Sequence, residues 1–369
     1  MANKNIKLYG VDRQYQSLKE EILDITDTVL SSGILLDGKY TEKFELEVAN
    51  RCDRLYAVAV NSATTGLFFS LIASLSPAKS PILLPAVSYV ATINSVLMSR
   101  GYNIKFCDVD QSALINLDSV QDGFSDIGLI MYANLFGNTV DWGRFQIMSK
   151  FFGDAQIIED AAQSFGAIHN GVPSGKMGDI SVFSFDPTKN LNNYGSGGMV
   201  LTDNPSTASY IMDLRNNGKQ TGHELEGLNA RMSELDCAIM SMKLKHVDKW
   251  QTRRTEIADY YTRELQEFVD VPLTTPGTTH AWSKYVIRVS NRHMLAKHLN
   301  YNDIETKITY SRTLYEEFVG QIYSPHLLDT LPAWESEKFT RECLSLPIYP
   351  ELLDSEVEKI VNTVKDYFR

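Results

Sequence analysis

Cysteine is scarce in this sequence, and the few cysteines are scattered. Cys52, Cys107, Cys237 and Cys343 are the only four, and none belongs to a CxxC pair. This spacing argues against both a zinc site and a disulfide framework. We therefore expect buried, reduced thiols and no metal centre.

Long apolar runs are also missing. No segment approaches the roughly 20 apolar residues that a helix needs to cross a bilayer. The opening stretch MANKNIKLYGVDRQYQ lacks the apolar core of a signal peptide. We expect a cytoplasmic protein without a membrane attachment.

An excess of positive charge is the third absence. The chain has 35 basic and 46 acidic residues, which gives a net charge of -11. This balance argues against a broad nucleic-acid surface or an anionic membrane as partner. An anionic ligand would need a local pocket of basic side chains or backbone amides.

What the chain does contain is a repeated strand and helix pattern. Its 369 residues, 43% of them hydrophobic, suffice for more than one structural unit. Such alternation predicts an α/β fold with a mainly parallel sheet covered by helices on both faces. We expect a large domain over residues 1–245 and a smaller C-terminal α/β domain over 246–369. Short apolar runs, each followed by a turn and a helical stretch, occupy residues 57–60, 82–84, 104–106, 127–132 and 157–158.

Two helices have clear end signals. Apolar residues at helical spacing predict a helix over residues 15–31, and Gly33 is suited to end it in the left-handed conformation. Ser233, with Asp236 three residues later, is typical of a helix N-cap. We expect the helix that it begins to run past Val247.

Asp160 ends an apolar run, at residues 156–160. In parallel sheets the ligand lies beyond the carboxyl ends of the strands, so this carboxylate is a candidate ligand group. The alternative is an ordinary N-cap for the next helix.

Lys189 follows a predicted strand at 180–185 and the turn Asp186-Pro187. The glycine-rich stretch at 194–198 comes soon after it and allows close approach of a backbone or a ligand. Taken alone, this lysine could be a solvated surface charge and the glycine stretch a plain hairpin or bulge.

The segment Asn61-Ser62-Ala63-Thr64-Thr65-Gly66 lies between a strand and an apolar helix. Small residues at such a turn expose amides and hydroxyls at the positive end of a helix, which suits a phosphate group. An ordinary capped helix start fits the same residues. Tyr89, just past the predicted strand at 82–84, could stack on a flat ring or be a core tyrosine.

Together these elements match the needs of pyridoxal 5'-phosphate (PLP). This cofactor requires a lysine that forms a Schiff base, an acid facing its pyridine nitrogen, and donors for its phosphate. Lys189, Asp160 and the turn at 61–66 supply these parts. We predict a PLP enzyme.

The sequence closely resembles the DegT/DnrJ/EryC1/StrS family of PLP-dependent nucleotide-sugar aminotransferases. The resemblance covers almost the whole chain and implies the fold type I PLP-dependent transferase architecture. The matching segments are residues 32–49, 61–71, 84–110, 159–167, 178–202, 227–238 and 343–350.

The resemblance implies a role for each matching residue around the cofactor ring. Lys189 would be the Schiff-base lysine and catalytic residue, and Asp160 would pair with the pyridine nitrogen. Gln163 would approach the phenolic oxygen of PLP. Tyr89 would stack on the ring.

It also implies how the phosphate is held. Ser62, Ala63 and Ser184 match the residues of the phosphate cradle. Asn229 matches a residue that reaches the phosphate of the neighbouring subunit's cofactor. A homodimer with shared active sites follows from that match.

The reaction implied by the resemblance is transfer of an amino group, from L-glutamate, to a keto-sugar carried on a nucleotide. Family members often have Thr-Gly-Glu-Gly-Gly after the lysine, whereas residues 194–198 here read Tyr-Gly-Ser-Gly-Gly. This form is more similar to members that aminate C3, so we expect a 3-keto-6-deoxyhexose. The alternatives are amination at C4 of a 4-keto-6-deoxyhexose, a PLP-dependent sugar dehydratase, or a non-catalytic PLP-binding regulator. The dehydratase branch carries histidine at the lysine position, so Lys189 counts against it.

Further departures fall where substrate recognition is expected. Ala230 replaces a frequent tyrosine, and Lys307 and Thr309 stand where arginine and histidine are common. Basic residues that could meet a substrate diphosphate are Lys219, Arg231, Lys307 and Arg312.

Overall fold

The computed structural model describes residues 5–74, 81–99, 103–120, 126–317 and 333–369, and the backbone of 328–330. Its helices are α1 (Val11–Ser32), α2 (Lys39–Arg51), α3 (Ala63–Ile72), α4 (Val90–Ser99), α5 (Trp142–Ser149), α6 (Pro205–Leu214), α7 (Glu234–Leu244), α8 (Val247–Leu265), α9 (Arg292–Tyr301), α10 (Trp334–Glu342) and α11 (Asp354–Tyr367). Short 3-10 turns connect some of them.

The strands in the described residues are β1 (Tyr56–Val60), β2 (Ile82–Pro85), β3 (Ile104–Cys107), β4 (Leu129–Ala133), β5 (Gln156–Asp160), β6 (Ile168–His169), β7 (Val172–Pro173), β8 (Ile180–Ser184), β9 (Gly198–Thr202), β10 (Thr278–Thr279), β11 (Tyr285–Arg288), β12 (Leu328–Thr330) and β13 (Cys343–Leu346). Eight of them form one sheet in the order β1-β9-β8-β5-β4-β2-β3-β12. Only β9 runs antiparallel to its neighbours. The expectation of a mainly parallel sheet is confirmed.

Both faces of this sheet are covered, as expected. Side chains alternate along a strand, so neighbouring residues of β1 face opposite sides. Val58 and Val60 pack in one apolar cluster with residues of α3, α4 and α6. Ala57 and Ala59 pack in another cluster with residues of α1, α2 and α7.

The predicted helix over 15–31 is α1, which begins earlier than expected. Its buried stripe includes Leu18, Ile22 and Val29. Gly33 follows with a φ of 69°, in the left-handed region, and its N–H donates to the carbonyl of Leu30 at 3.2 Å. The cap predicted at this glycine is confirmed.

The helix that begins after Ser233 was predicted to run past Val247, and this prediction is wrong. Ser233 is the N-cap as expected, since its Oγ accepts the N–H of Asp236 at 3.0 Å. However, α7 ends at Leu244 and α8 begins at Val247. The N–H of His246 donates to the carbonyl of Lys243 at 3.0 Å, three residues back, and this tighter turn ends the α-helical pattern.

The C-terminal elements pack around their own apolar cluster. It contains side chains of α8, α9, α11, β11 and β13, and Ile6 from the N-terminal segment joins it. Ile6 also forms an isolated parallel bridge with Ile304. The boundary between residues 245 and 246 is kept as our proposal, and it coincides with the turn between α7 and α8.

The sequence predicted no helix that could cross a bilayer. In the part of the chain that the structure describes, no helix is both long enough and apolar enough to span a membrane.

Candidate active site

The strand register brings the predicted residues to one edge of the sheet. Gly198, the first residue of β9, pairs with Val60 at the end of β1 and with Ser184 at the end of β8. Asp160 ends β5 and pairs with Val182 of β8. The carboxyl ends of these parallel strands therefore meet at the edge where ligands bind in α/β sheets.

The turn after β1 leads directly into α3 and caps the N-terminus of that helix. The Oγ of Ser62 accepts the N–H of Thr65 at 3.2 Å and caps α3. Gly198 packs directly against this turn, because a Cβ at that position would lie 2.7 Å from the backbone nitrogen of Ala63. Free amides at the start of α3 make this turn suited to a phosphate.

Ser184 lies two strands away from that turn, at the same edge. It is 8% exposed, and its Oγ accepts the N–H of Asp186 at 3.3 Å. The strand that the sequence placed over residues 180–185 ends at this serine. Its hydroxyl is therefore held at the start of the loop that carries Lys189.

Asp160 is a buried carboxylate held by two donors. One oxygen accepts the Thr92 hydroxyl at 2.9 Å, and the other accepts the N–H of Ala162 at 3.1 Å. The Thr92 hydroxyl also lies 2.8 Å from the Ser88 hydroxyl. Burial raises the pKa of Asp160, while the Thr92 hydrogen bond and the charge of Lys189 act in the opposite direction. The residues after Asp160 form turns rather than a helix, so the helix-cap alternative is wrong.

Lys189 follows β8 in a tight turn, its N–H donating to the carbonyl of Asp186 at 2.9 Å. Burial in the site lowers the pKa of the Lys189 ammonium, and Asp160 and Asp186 oppose that shift. Within the described part of the chain, its Nζ has no hydrogen-bond partner. Its surroundings therefore favour a reactive amine over a solvated surface charge.

A second lysine, for which the sequence predicted no role, holds the loop that follows Lys189. Lys243 is fully buried in α7, and its Nζ donates to the backbone carbonyl of Asn192 and, at 3.2 Å, to the Oδ1 of the same residue. Burial lowers the pKa of Lys243 to about 7, partly opposed by Glu351.

The Oδ1 of Asn190 is buried and has no partner among the described residues.

Gln163 lies at the centre of a second hydrogen-bonded group. Its Oε1 accepts the N–H of Phe136 at 3.2 Å and the ammonium of Lys284 at 3.4 Å. Its Nε2 donates to the Tyr310 hydroxyl at 2.7 Å. Burial raises the pKa of Tyr310 above its usual range. Sequence reasoning assigned no role to Tyr310 or Lys284, because both lie in the distant C-terminal region.

Tyr89 lies beside this group, and its ring is exposed to solvent. It is 53% exposed, and its ring centre is 6.1 Å from that of Tyr310. A core role, the alternative raised from the sequence, does not fit that exposure. The exposed ring face leaves room for a planar ligand to stack.

Asn229 is not brought into contact with the other predicted residues. It is exposed, and its backbone bridges Asn216. The adjacent Ala230 carbonyl accepts the N–H of Asn61, at 2.7 Å, beside the α3 turn. Arg231, a candidate for the diphosphate, pairs instead with Asp37 at 2.8 Å.

The donor set fits PLP. A buried carboxylate, Asp160, could face a protonated ring nitrogen, and the unpartnered amine of Lys189 is available for a covalent bond. The capped start of α3, beside Ser62, provides amides for a phosphate. The buried Oδ1 of Asn190 adds an acceptor that no described residue uses.

Comparisons with known proteins agree with this chemistry. The model of the DegT/DnrJ/EryC1/StrS aminotransferase family matches residues 16–365. A relative from Saccharopolyspora erythraea, the erythromycin biosynthesis sensory transduction protein EryC1, is 32% identical over 98% of this chain and 99% of its own. The dTDP-3-amino-3,6-dideoxy-alpha-D-galactopyranose transaminase of Aneurinibacillus thermoaerophilus is 30% identical over 98% of both chains.

A solved structure has the same fold. That of S. venezuelae DesV, in complex with a ketimine intermediate, superposes with a TM-score of 0.90 at 27% sequence identity. The match covers 98% of each chain. The fold type I architecture expected from the sequence is confirmed.

Proposed function

Since this chain belongs to the DegT/DnrJ/EryC1/StrS aminotransferase family, we propose that it transfers an amino group from L-glutamate to C3 of a nucleotide-linked 3-keto-6-deoxyhexose. Its general activity is that of a PLP-dependent sugar aminotransferase, as in the relatives and structural neighbours. The proposal concerns the donor, the sugar position and the residues that act.

The placement of Lys189 and the buried Asp160 at one edge of the sheet carries this proposal. Both lie at the ligand edge of the sheet, and the charge of each shifts the pKa of the other. A lysine at this position favours amino transfer over the dehydratase alternative, whose members resemble this chain but carry histidine there. An intact lysine and acid also disfavour a purely regulatory protein.

When bound, PLP supplies an aldehyde that exchanges amines and a ring that accepts electron density. Asp160 would hold a proton on the pyridine nitrogen, because its buried carboxylate would gain a positive partner there. The Nζ of Lys189 would take the proton from Cα of the donor and deliver it to C4' of the cofactor, and its lowered pKa increases the neutral fraction that this transfer needs. Gln163 would hold the phenolic oxygen of the ring, and Tyr89 would stack on its face.

The phosphate is held by both subunits in this proposal. Ser62, Ala63 and Ser184 provide hydroxyls and amides from one subunit. Asn229 provides its side chain to the partner's cofactor, which agrees with its exposure and its place beside the α3 turn. The protein is then a homodimer with shared active sites.

Mixing two variants tests this shared site. Lys189→Ala and Asn229→Ala subunits, co-expressed, would form hybrid dimers in which one of the two sites has both residues intact. We expect roughly one quarter of wild-type activity in the statistical mixture, and much less in either pure variant. No gain on mixing would contradict sharing of the site between subunits.

Amination at C3 rests on two observations. The stretch Tyr194-Gly195-Ser196-Gly197-Gly198 resembles that of C3-aminating members. The Aneurinibacillus thermoaerophilus relative is named for a 3-amino-3,6-dideoxy sugar.

The test is a substrate screen with product analysis. The purified protein is incubated with L-glutamate and nucleotide-linked 3-keto or 4-keto-6-deoxy sugars, with Lys189→Ala as the inactive control. NMR then locates the new amine. We expect it at C3, and an amine at C4 alone would refute that position while leaving the general activity intact.

A further inference from the structure

A second buried lysine lies in the active site without an acidic partner. Lys284 precedes β11 and is 8% exposed. Its Nζ has one hydrogen bond, to the Oε1 of Gln163 at 3.4 Å. No ion pair involves it among the residues that the structure describes. Such an arrangement is costly, because a buried ammonium usually needs a negative partner.

The charges around Lys284 make this cost larger. Lys189, Lys307 and Arg254 are close enough to disfavour its charged form, whereas Asp186 favours it. Asp186 already accepts the N–H and hydroxyl of Thr188, at 2.9 Å and 2.6 Å. Arg254 is engaged with the carbonyls of Trp282 and Ile348 at 3.1 Å and 2.7 Å. The carboxylate that favours the charged form of Lys284 is thus already hydrogen-bonded to another residue.

We propose that Lys284 binds the α-carboxylate of the amino donor and so determines that the donor is an amino acid. This inference rests on the proposed function, since it names a residue for the first substrate of that reaction. Lys307, which is exposed at the same group of cations, adds to the attraction without being buried.

The position of Lys284 favours the α-carboxylate over a more distant anion. In an amino acid, the carboxylate is attached to the same carbon as the reacting amine. A cation that is hydrogen-bonded to Gln163, and close enough to Lys189 for their charges to interact, can therefore reach that carboxylate. The diphosphate of a nucleotide sugar is separated from C3 by further ring atoms, which places it farther from the reacting centre.

A lysine also suits a site that must accept two different substrates in turn. The donor brings a carboxylate, whereas the keto-sugar brings hydroxyl groups to the same space. Burial lowers the pKa of Lys284 well below its usual range, so the side chain can lose its proton when no anion is present. A neutral amine can then form a hydrogen bond with a hydroxyl. An arginine at this position would remain charged.

Binding of glutarate to the PLP-loaded protein tests the proposal. Glutarate has carboxylates but neither an amine nor a keto group, so its affinity can be measured by calorimetry without turnover. We expect Lys284→Met to weaken it about 10- to 100-fold, as for loss of a charge-assisted hydrogen bond. Lys284→Arg should retain most of the affinity. Lys297→Met, which removes an exposed lysine on α9, should leave it unchanged.

Several results would overturn the proposal. These are equal glutarate affinity in wild type and Lys284→Met, no glutarate binding by wild type, or a changed visible absorption band of bound PLP with unchanged glutarate affinity. Lys284→Gln serves the same purpose should the methionine variant not fold. Failure of the proposed function would be distinct, since wild type would then bind glutarate and aminate no keto-sugar.

Discussion

The hydrogen bond from Thr92 to Asp160 offers a quantitative test of the acid in this site. Thr92 is fully buried, and its hydroxyl lies 2.9 Å from the carboxylate. Replacing it with valine removes the donor and keeps the shape of the side chain. Water cannot easily take its place, because the neighbouring Ser88 is also buried.

The size of the effect follows from the charge of the acceptor. A hydrogen bond to a charged group contributes about 1.5–3 kcal/mol, which corresponds to about a 10- to 150-fold change in an equilibrium constant. This bond stabilises the ionised form of Asp160, the form that pairs with a protonated ring nitrogen. At pH values that leave Asp160 protonated in the variant, Thr92→Val should therefore weaken PLP binding by about ten- to a hundredfold.

The direction in which the affinity for PLP changes with pH can also be predicted. Burial already raises the pKa of Asp160, and loss of the Thr92 donor raises it further. Affinity for PLP falls as the pH drops through that pKa, because the protonated acid cannot pair with the ring. In Thr92→Val this decline should begin at higher pH than in wild type.

Absorbance titration of the apoprotein with PLP over a series of pH values measures both effects. Thr92→Ser is the matched control, since it keeps the hydroxyl and loses only a methyl group. We expect it to stay much closer to wild type than the valine variant. Equal PLP affinity and equal pH dependence in Thr92→Val and wild type would refute this role of the threonine.

Two further predictions concern packing and burial. Gly198→Ala should cost about 1–3 kcal/mol and weaken PLP binding, since its Cβ would lie 2.7 Å from the backbone nitrogen of Ala63. Gly195→Ala, whose nearest contact would be 3.8 Å away, is the control, and equal melting temperatures would contradict the argument. Burial lowers the pKa of His280 from 6.5 to about 3, so only the unfolded chain gains a proton between these values. His280 should therefore lower the free energy of unfolding by about 1.4 kcal/mol for each unit by which the pH drops in that window, and His280→Asn should reduce the slope measured by denaturant titration. An unchanged slope would show that His280 is protonated in the folded protein.

Local sequence signals predicted the part of the site that lies at strand ends. Asp160 ends β5 where the apolar run stopped, and Gly33 ends α1 in the expected conformation. Both follow from residues that are neighbours in the chain. The positions of Ser62 and Ser184 follow likewise from the strands that precede them.

The other half of the site depends on contacts between distant segments. Tyr310 and Lys284 meet Gln163 across more than a hundred residues, and no periodicity marks them. The break between α7 and α8 was missed for a similar reason. No proline or glycine stands at Lys245-His246, so the sequence carries no local signal for the end of α7.

The identity of the Schiff-base lysine is the central claim, and it can be tested directly. Borohydride reduction of the PLP-loaded protein fixes the cofactor on its lysine, and mass spectrometry of the digested protein locates the modification. Three lysines, at 189, 284 and 307, lie close enough to influence one another's charge, so the outcome is not trivial. We predict modification of Lys189 alone. Modification of Lys284 or Lys307 instead, or none at all, would contradict the account.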